Sequence, residues 1–116
     1  MEERIRSEIT ERLVAVEIEL RRIGVWETAL PTAEQLASDV PFSHDRLEFT
    51  QWLQWIFLPR FRAVLEGGHP LPQSCAVAPI AEDALARLNA DTALLLAHLQ
   101  DIDRLITERV SPPSAH

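Results

Sequence analysis

The run Trp52-Leu53-Gln54-Trp55-Ile56-Phe57-Leu58-Pro59-Arg60 sets large aromatic side chains beside a proline and a positive charge. Aromatic surface dominates noncovalent binding once water is excluded, so this stretch is a candidate adapter groove. The competing reading has the same residues fill the centre of a bundle, with Arg60 extending outward or hydrogen-bonding the chain around Cys75 to Pro79. Arg62 lies too close in sequence to Arg60 to share one helix face with it, unless an irregularity at Pro59 redirects the pair. The binding candidates are therefore Trp52, Trp55, Pro59, Arg60 and Arg62, together with Cys75, Val77 and Pro79 from the crossing that follows.

Other chemistries find less support. The four histidines, His44, His69, His98 and His116, show no HExxH spacing, and no metal site is expected. His98 lies within reach of Asp101 or Asp103 along one helix but reads as an ordinary polar position. Glu82 and Asp83 are adjacent and point apart, and Asp101 and Asp103 do not share a helix face, so no acid/base pair follows. Glu82 and Asp83 are expected to serve the positive end of a helix. Cys75, the single cysteine, excludes an intrachain disulfide and lacks a neighbouring thiolate-stabilising group. There is no phosphate-binding glycine loop and no serine nucleophile elbow. No cofactor is expected, and a noncatalytic role is favoured over an enzymatic one.

The elements that must position these residues are helical. Ile5, Ile9, Leu13, Val16, Leu20 and Ile23 recur at intervals of three and four, predicting an amphipathic helix that stops at Gly24, with Glu17 and Glu19 on its wet face. The stretch from Val25 to His44 contains Pro31 and Pro41 and reads as a long connection. A capping box at Thr32-Ala33-Glu34-Gln35 predicts one short helical turn there, and Trp26 and Leu36 are expected to pin the connection. A second helix is expected after Asp45, with Glu48 as reciprocal cap. It carries Phe49, Trp52, Leu53, Ile56 and Phe57 inward, is kinked near Trp55 by Pro59, and stops at Gly67-Gly68. After a proline-rich crossing, Pro79 opens a third helix bearing Ile80, Ala81, Ala84, Leu85 and Leu88. Asn89 is expected to cap a fourth, whose apolar face is Leu95, Leu99, Ile102 and Ile106, supplemented by Leu94 and Leu105.

The sequence therefore predicts an all-α fold, a compact bundle of four principal helices with mostly antiparallel neighbours and a long, partly ordered connection after the first. Residues 1–110 are expected to form one domain and residues 111–116 a flexible tail. The expected common core is Trp52, Leu53, Ile56, Phe57, Leu85, Leu95, Leu99 and Ile102. A formal charge of -7 over 116 residues disfavours broad attraction to nucleic acid or anionic lipid. The opening residues lack an apolar signal core, so the expected location is the cytoplasm, with no membrane partner.

The joined segments Trp52 to Arg60, Leu71-Pro72 and Ala76-Val77-Ala78-Pro79-Ile80-Ala81-Glu82-Asp83-Ala84-Leu85 resemble the small bacterial YqcC-like family, and the similarity runs over most of the chain. The resemblance implies a compact helical bundle of unknown biochemical role and carries over no catalytic residue. The family is associated, in some classifications and gene neighbourhoods, with tRNA pseudouridine synthase C. Three roles follow as expectations. The first is a noncatalytic protein-interaction or adapter module with a protein partner. The second is an accessory in tRNA pseudouridylation, with a tRNA-modification enzyme as partner or with tRNA contacted through Arg60 and Arg62. The third is a small-molecule-binding or regulatory helical module.

Overall fold

The computed structural model describes residues 2–29 and 48–110. The first helix, α1, runs Glu2–Arg22. Helix α2 occupies 49–66 as one continuous rod in three parts: an α-turn Phe49–Trp52, a π-helical stretch Leu53–Phe57 and an α-helix Leu58–Glu66. Helix α3 is Ala78–Ala86 and α4 is Ala93–Val110. Among the described residues there is no strand.

Side-chain bridges set the directions. Arg12 pairs with Asp101 and Arg22 reaches the Asp91 carbonyl, so α1 and α4 run antiparallel. Arg62 pairs with Glu17 and Arg6 donates to the His69 carbonyl, so α1 and α2 are antiparallel as well. Helix α1 is thus the shared partner of α2 and α4, and α3 packs on α4. Ile9, Leu13, Val16 and Leu20 of α1 are buried against Leu53 and Leu58 of α2 and Leu95, Leu99, Ile102 and Ile106 of α4, in one cluster that also takes in Leu85. All eight residues expected to form the common core are buried there.

Both glycine stops take the same form. Gly24 has φ +82, with Val25 N–H bonded to the Leu20 carbonyl and Gly24 N–H to that of Arg21. Gly68 has φ +67, with His69 N–H on the Val64 carbonyl and Gly68 N–H on that of Leu65. This paired pattern ends a helix through a left-handed residue, which glycine adopts without steric cost.

Several expectations are corrected. Asn89 does not cap α4: Thr92 supplies the carbonyl bonded by Leu96 N–H, and the Asp91 carboxylate accepts the Ala93 amide. Leu94 is 57% exposed rather than part of the apolar face, because it sits about 100° around the helix from the fully buried Leu95, off the Leu95-Leu99-Ile102-Ile106 stripe. Glu19 is buried, not on the wet face, since the Arg22 guanidinium folds back to bond its carboxylate at 2.8 and 3.0 Å. Glu82 is exposed and Asp83 pairs with Arg87, so neither holds the start of α3. The kink expected near Trp55 is a widened turn in an unbroken helix. Thr32, Gln35, Leu36, His44, Asp45, His116 and the 111–116 tail lie outside the described residues.

Candidate functional site

The π-helical stretch decides what α2 presents. Leu58 N–H bonds back to the Leu53 carbonyl, five residues earlier, which inserts the equivalent of one residue into the helix. Up to the end of the wide turn Trp52, Leu53, Ile56 and Phe57 face inward, and after it Leu58 and Phe61 do, while Pro59 and Arg60 are exposed. An aromatic ladder follows the same side of the helix. Phe49 and Trp52 stack at 5.9 Å, Trp52 and Phe57 lie 5.3 Å apart, and Phe57 and Phe61 lie 5.5 Å apart.

Where this ladder meets the proline-rich crossing, a shallow apolar hollow of about 160 Å³ opens between Trp52, Ile56, Phe57, Arg60, Phe61, Val64 and Pro72. Its walls are almost entirely hydrocarbon, and Arg60 is the charged group at its edge. The other arginines with described side chains are engaged. Arg4, Arg12, Arg21, Arg22, Arg62, Arg87 and Arg104 each face a carboxylate, and Arg6 reaches the His69 carbonyl. Among the described side chains, Arg60 is the guanidinium with no such partner.

The remaining candidates fall elsewhere. Trp55 sits on the opposite flank of α2, where its indole N–H donates to the Glu27 carboxylate at 3.2 Å. The Gln51 amide donates to the same carboxylate, and the buried Gln54 side chain bonds both backbone groups of Glu27, at 2.8 Å from its N–H and 2.6 Å to its C=O. This clamp fixes the segment leaving α1. Beside it, the Arg21 guanidinium lies 4.5 Å from the Trp26 ring. Arg62 turns towards α1 and bonds Glu17 at 2.6 Å, holding that carboxyl below its ordinary range. A second hollow, of about 480 Å³, lies along this seam, lined in part by Leu13, Val14, Arg62 and Leu65.

Cys75 and Val77 gather at the start of α3 around Asp103, a residue whose part in the fold the sequence did not signal, while Pro79 is exposed in the first turn of α3. One Asp103 oxygen accepts the Val77 amide at 3.1 Å and the other the Ala78 amide at 2.8 Å, so a side chain of α4 caps α3. Burial, with Asp103 alongside, pushes the Cys75 thiol well above its ordinary value of 9.0, which leaves it a poor nucleophile at neutral pH. His98 has a buried Nδ1 without a hydrogen bond and contacts neither aspartate through it. Among the described residues no group of three or more histidine, cysteine, aspartate or glutamate side chains is placed to hold a metal ion. A third hollow, of about 560 Å³, lies between Glu48, Phe49 and Thr50 at the start of α2 and Asp83 of α3 with Arg87 and Leu88 just beyond its end.

No helix among the described residues is long and apolar enough to cross a membrane. The solution NMR structure of YqcC from Escherichia coli superimposes with a TM-score of 0.79 at 36% identity, over 97% of this chain and 96% of that one. The YqcC sequence of Escherichia coli, an uncharacterised protein, is 39% identical over 100 residues, covering 86% of this chain and 92% of its own. An uncharacterised protein of Haemophilus influenzae is 36% identical over 91 residues, 78% of this chain and 86% of that one. A tRNA pseudouridine synthase C of Pectobacterium carotovorum is 37% identical over 68 residues, which make up 59% of this chain and 18% of the synthase. Residues 8–105 match the DUF446 family model, which carries the description tRNA pseudouridine synthase C. The chain belongs to this YqcC-like family.

Proposed function

We propose that this helical bundle is a noncatalytic protein-interaction module and that its partner is a tRNA pseudouridine synthase C, engaged through the hollow on α2. The observation that carries the reading is the 68-residue match to a segment forming 18% of a chain of that name. A bundle of this family there shares a polypeptide with a much larger remainder, and covalent linkage gives two modules a high effective concentration for each other. The same module on a separate chain must find its partner through its own surface. The hollow supplies that surface: a shallow apolar depression beside a solvent-facing Arg60, set mainly on a helix with Pro72 of the crossing as one wall. Trp52, Pro59 and Arg60 are the sequence candidates that lie at or beside it. Trp55, Arg62, Cys75, Val77 and Pro79 serve the clamp, the α1 seam and the α3 cap instead. The pair works in the cytoplasm.

A small-molecule role would draw on the 560 Å³ hollow, which falls in the size range of ligand sites. Of its polar lining, Asp83 and Arg87 are already paired with each other at 2.9 Å, which leaves Glu48 and Thr50 to orient a ligand. The test is direct mixing of this chain with the purified synthase from the same organism, followed by size-exclusion chromatography and calorimetry. A stoichiometric complex that Val64→Glu disrupts without unfolding the bundle supports the reading. Absence of a complex at tens of micromolar of each protein refutes it.

A further inference from the structure

We infer that the α2 hollow accepts a single large apolar side chain from an acidic peptide segment, with Arg60 bonding a carboxylate next to that anchor. The inference rests on the interaction reading above and specifies the chemistry of what docks. Size comes first. A hollow of about 160 Å³ is below the roughly 300 to 1,000 Å³ of small-molecule sites, and it is the scale of one inserted side chain. The lining comes second: Ile56, Phe57, Phe61, Val64 and Pro72 offer hydrocarbon and aromatic edges, which select an apolar anchor.

Charge decides the rest. The chain carries a net charge of -7, so an acidic segment is repelled by most of this surface and is welcome only where a cation is uncommitted. Of the arginines whose side chains are described, those other than Arg60 face carboxylates or a carbonyl, and Arg60 stands at the rim of the apolar hollow. Attraction at one point on a repelling surface fixes the register of a short segment, because any slip trades an opposite charge for a like one. A nucleic acid fits less well. Trp52 is only 9% exposed, so it offers no open face for a base to stack on, and the acidic surroundings oppose a phosphate backbone.

The test is an NMR titration of the full chain, labelled with nitrogen-15, with synthetic peptides carrying one leucine flanked by glutamates. Controls are the glutamine and lysine versions of the same peptide, a version with serine for leucine, and a single-stranded oligouridylate. Arg60 is exposed, so Arg60→Glu is expected to remain folded, and its spectrum checks this. The wild-type chain should show shifts confined to residues around Ile56, Val64 and Pro72 with the glutamate peptide, weakened about tenfold with the glutamine or serine version. Arg60→Glu should lose the glutamate peptide and gain the lysine one.

Equal binding of the glutamate and glutamine peptides, no shift with any peptide, or a preference for the oligouridylate at this site overturns the inference. The two proposals fail separately. A synthase complex indifferent to Arg60→Glu leaves the interaction module standing and removes the acidic anchor. Glutamate-peptide binding without a synthase complex does the reverse.

Discussion

Asp103 joins the crossing segment to the bundle, and its removal should be costly for a half-buried surface carboxylate. In Asp103→Ala the Val77 and Ala78 amides, now bonded at 3.1 and 2.8 Å, lose their acceptor, and the start of α3 loses the side chain that caps it. Loss of a helix cap costs about 0.5 to 2 kcal/mol, and a carboxylate at the positive end of a helix contributes roughly 0.3 to 1 kcal/mol more. The expected destabilisation is therefore about 2 kcal/mol. Asp103→Asn keeps one acceptor oxygen and should cost about 1 kcal/mol. Urea denaturation followed by tryptophan fluorescence measures both values. The same substitutions have a chemical readout. Burial raises the Cys75 thiol above 9.0 and the Asp103 carboxylate adds to the rise, so both variants should move the pH profile of iodoacetamide labelling to lower pH. A raised thiol value stabilises the folded state below pH 9.0, and that contribution fades as pH climbs through the folded value, so the wild-type chain should lose more stability above pH 9.0 than either variant. If Asp103→Ala changes stability by less than about 0.5 kcal/mol and leaves the labelling profile in place, Asp103 is not the cap of α3.

Leu53→Ala, at a fully buried position shared by the α1 and α2 faces, should cost about 2 to 5 kcal/mol in the same urea assay. Gln54→Ala strands the Glu27 N–H and C=O that its side chain now bonds and should cost roughly 1 to 3 kcal/mol, with a change in the emission of the neighbouring Trp55. Pro59→Ala should alter stability by less than about 1 kcal/mol and retain the Leu58 N–H to Leu53 carbonyl bond, as seen by amide exchange. The Glu17 carboxyl is held below its ordinary value of 4.5, first by the hydrogen bond from Arg62, so it stabilises the fold above pH 4.5 and that contribution is lost as pH falls through the folded value. Arg62→Ala should accordingly flatten the loss of stability as pH falls below 4.5.

Periodicity carried the architecture because burial is repetitive. A stripe such as Ile9, Leu13, Val16 and Leu20 repeats the same geometric fact at each turn, and the glycine stops at Gly24 and Gly68 rest on a backbone conformation that few other residues adopt. The polar tertiary bonds had no such repetition. Asp103 looks like any solvated aspartate until the crossing lays Val77 and Ala78 beside it, and Glu27 looks like loop until Gln51, Gln54 and Trp55 close on it. One trace of that clamp was visible beforehand, a glutamine inside an otherwise apolar run, where a buried amide requires partners for both its oxygen and its nitrogen. The eight binding candidates come from two short segments of the sequence but separate in space, because the two flanks of α2 and the start of α3 face different neighbours.

The phase of α2 shows why the aromatic run cannot be read as a regular helix. Leu53 and Arg60 are seven residues apart, so an unbroken α-helix would place them within about 20° of each other and drive the guanidinium into the core beside a fully buried leucine. An unpaired buried guanidinium is far costlier than one widened turn. The π-helical stretch delays the following residues by about one position, roughly 100° of rotation. That delay brings Leu58 and Phe61 inward and carries Arg60 to the surface beside the exposed Pro59. Pro59 suits the place, since it lacks the amide that would compete for the carbonyls freed in the wide turn. One inserted residue thus lets the same short segment fill the bundle with hydrocarbon and still set a free guanidinium at the edge of an exposed apolar hollow.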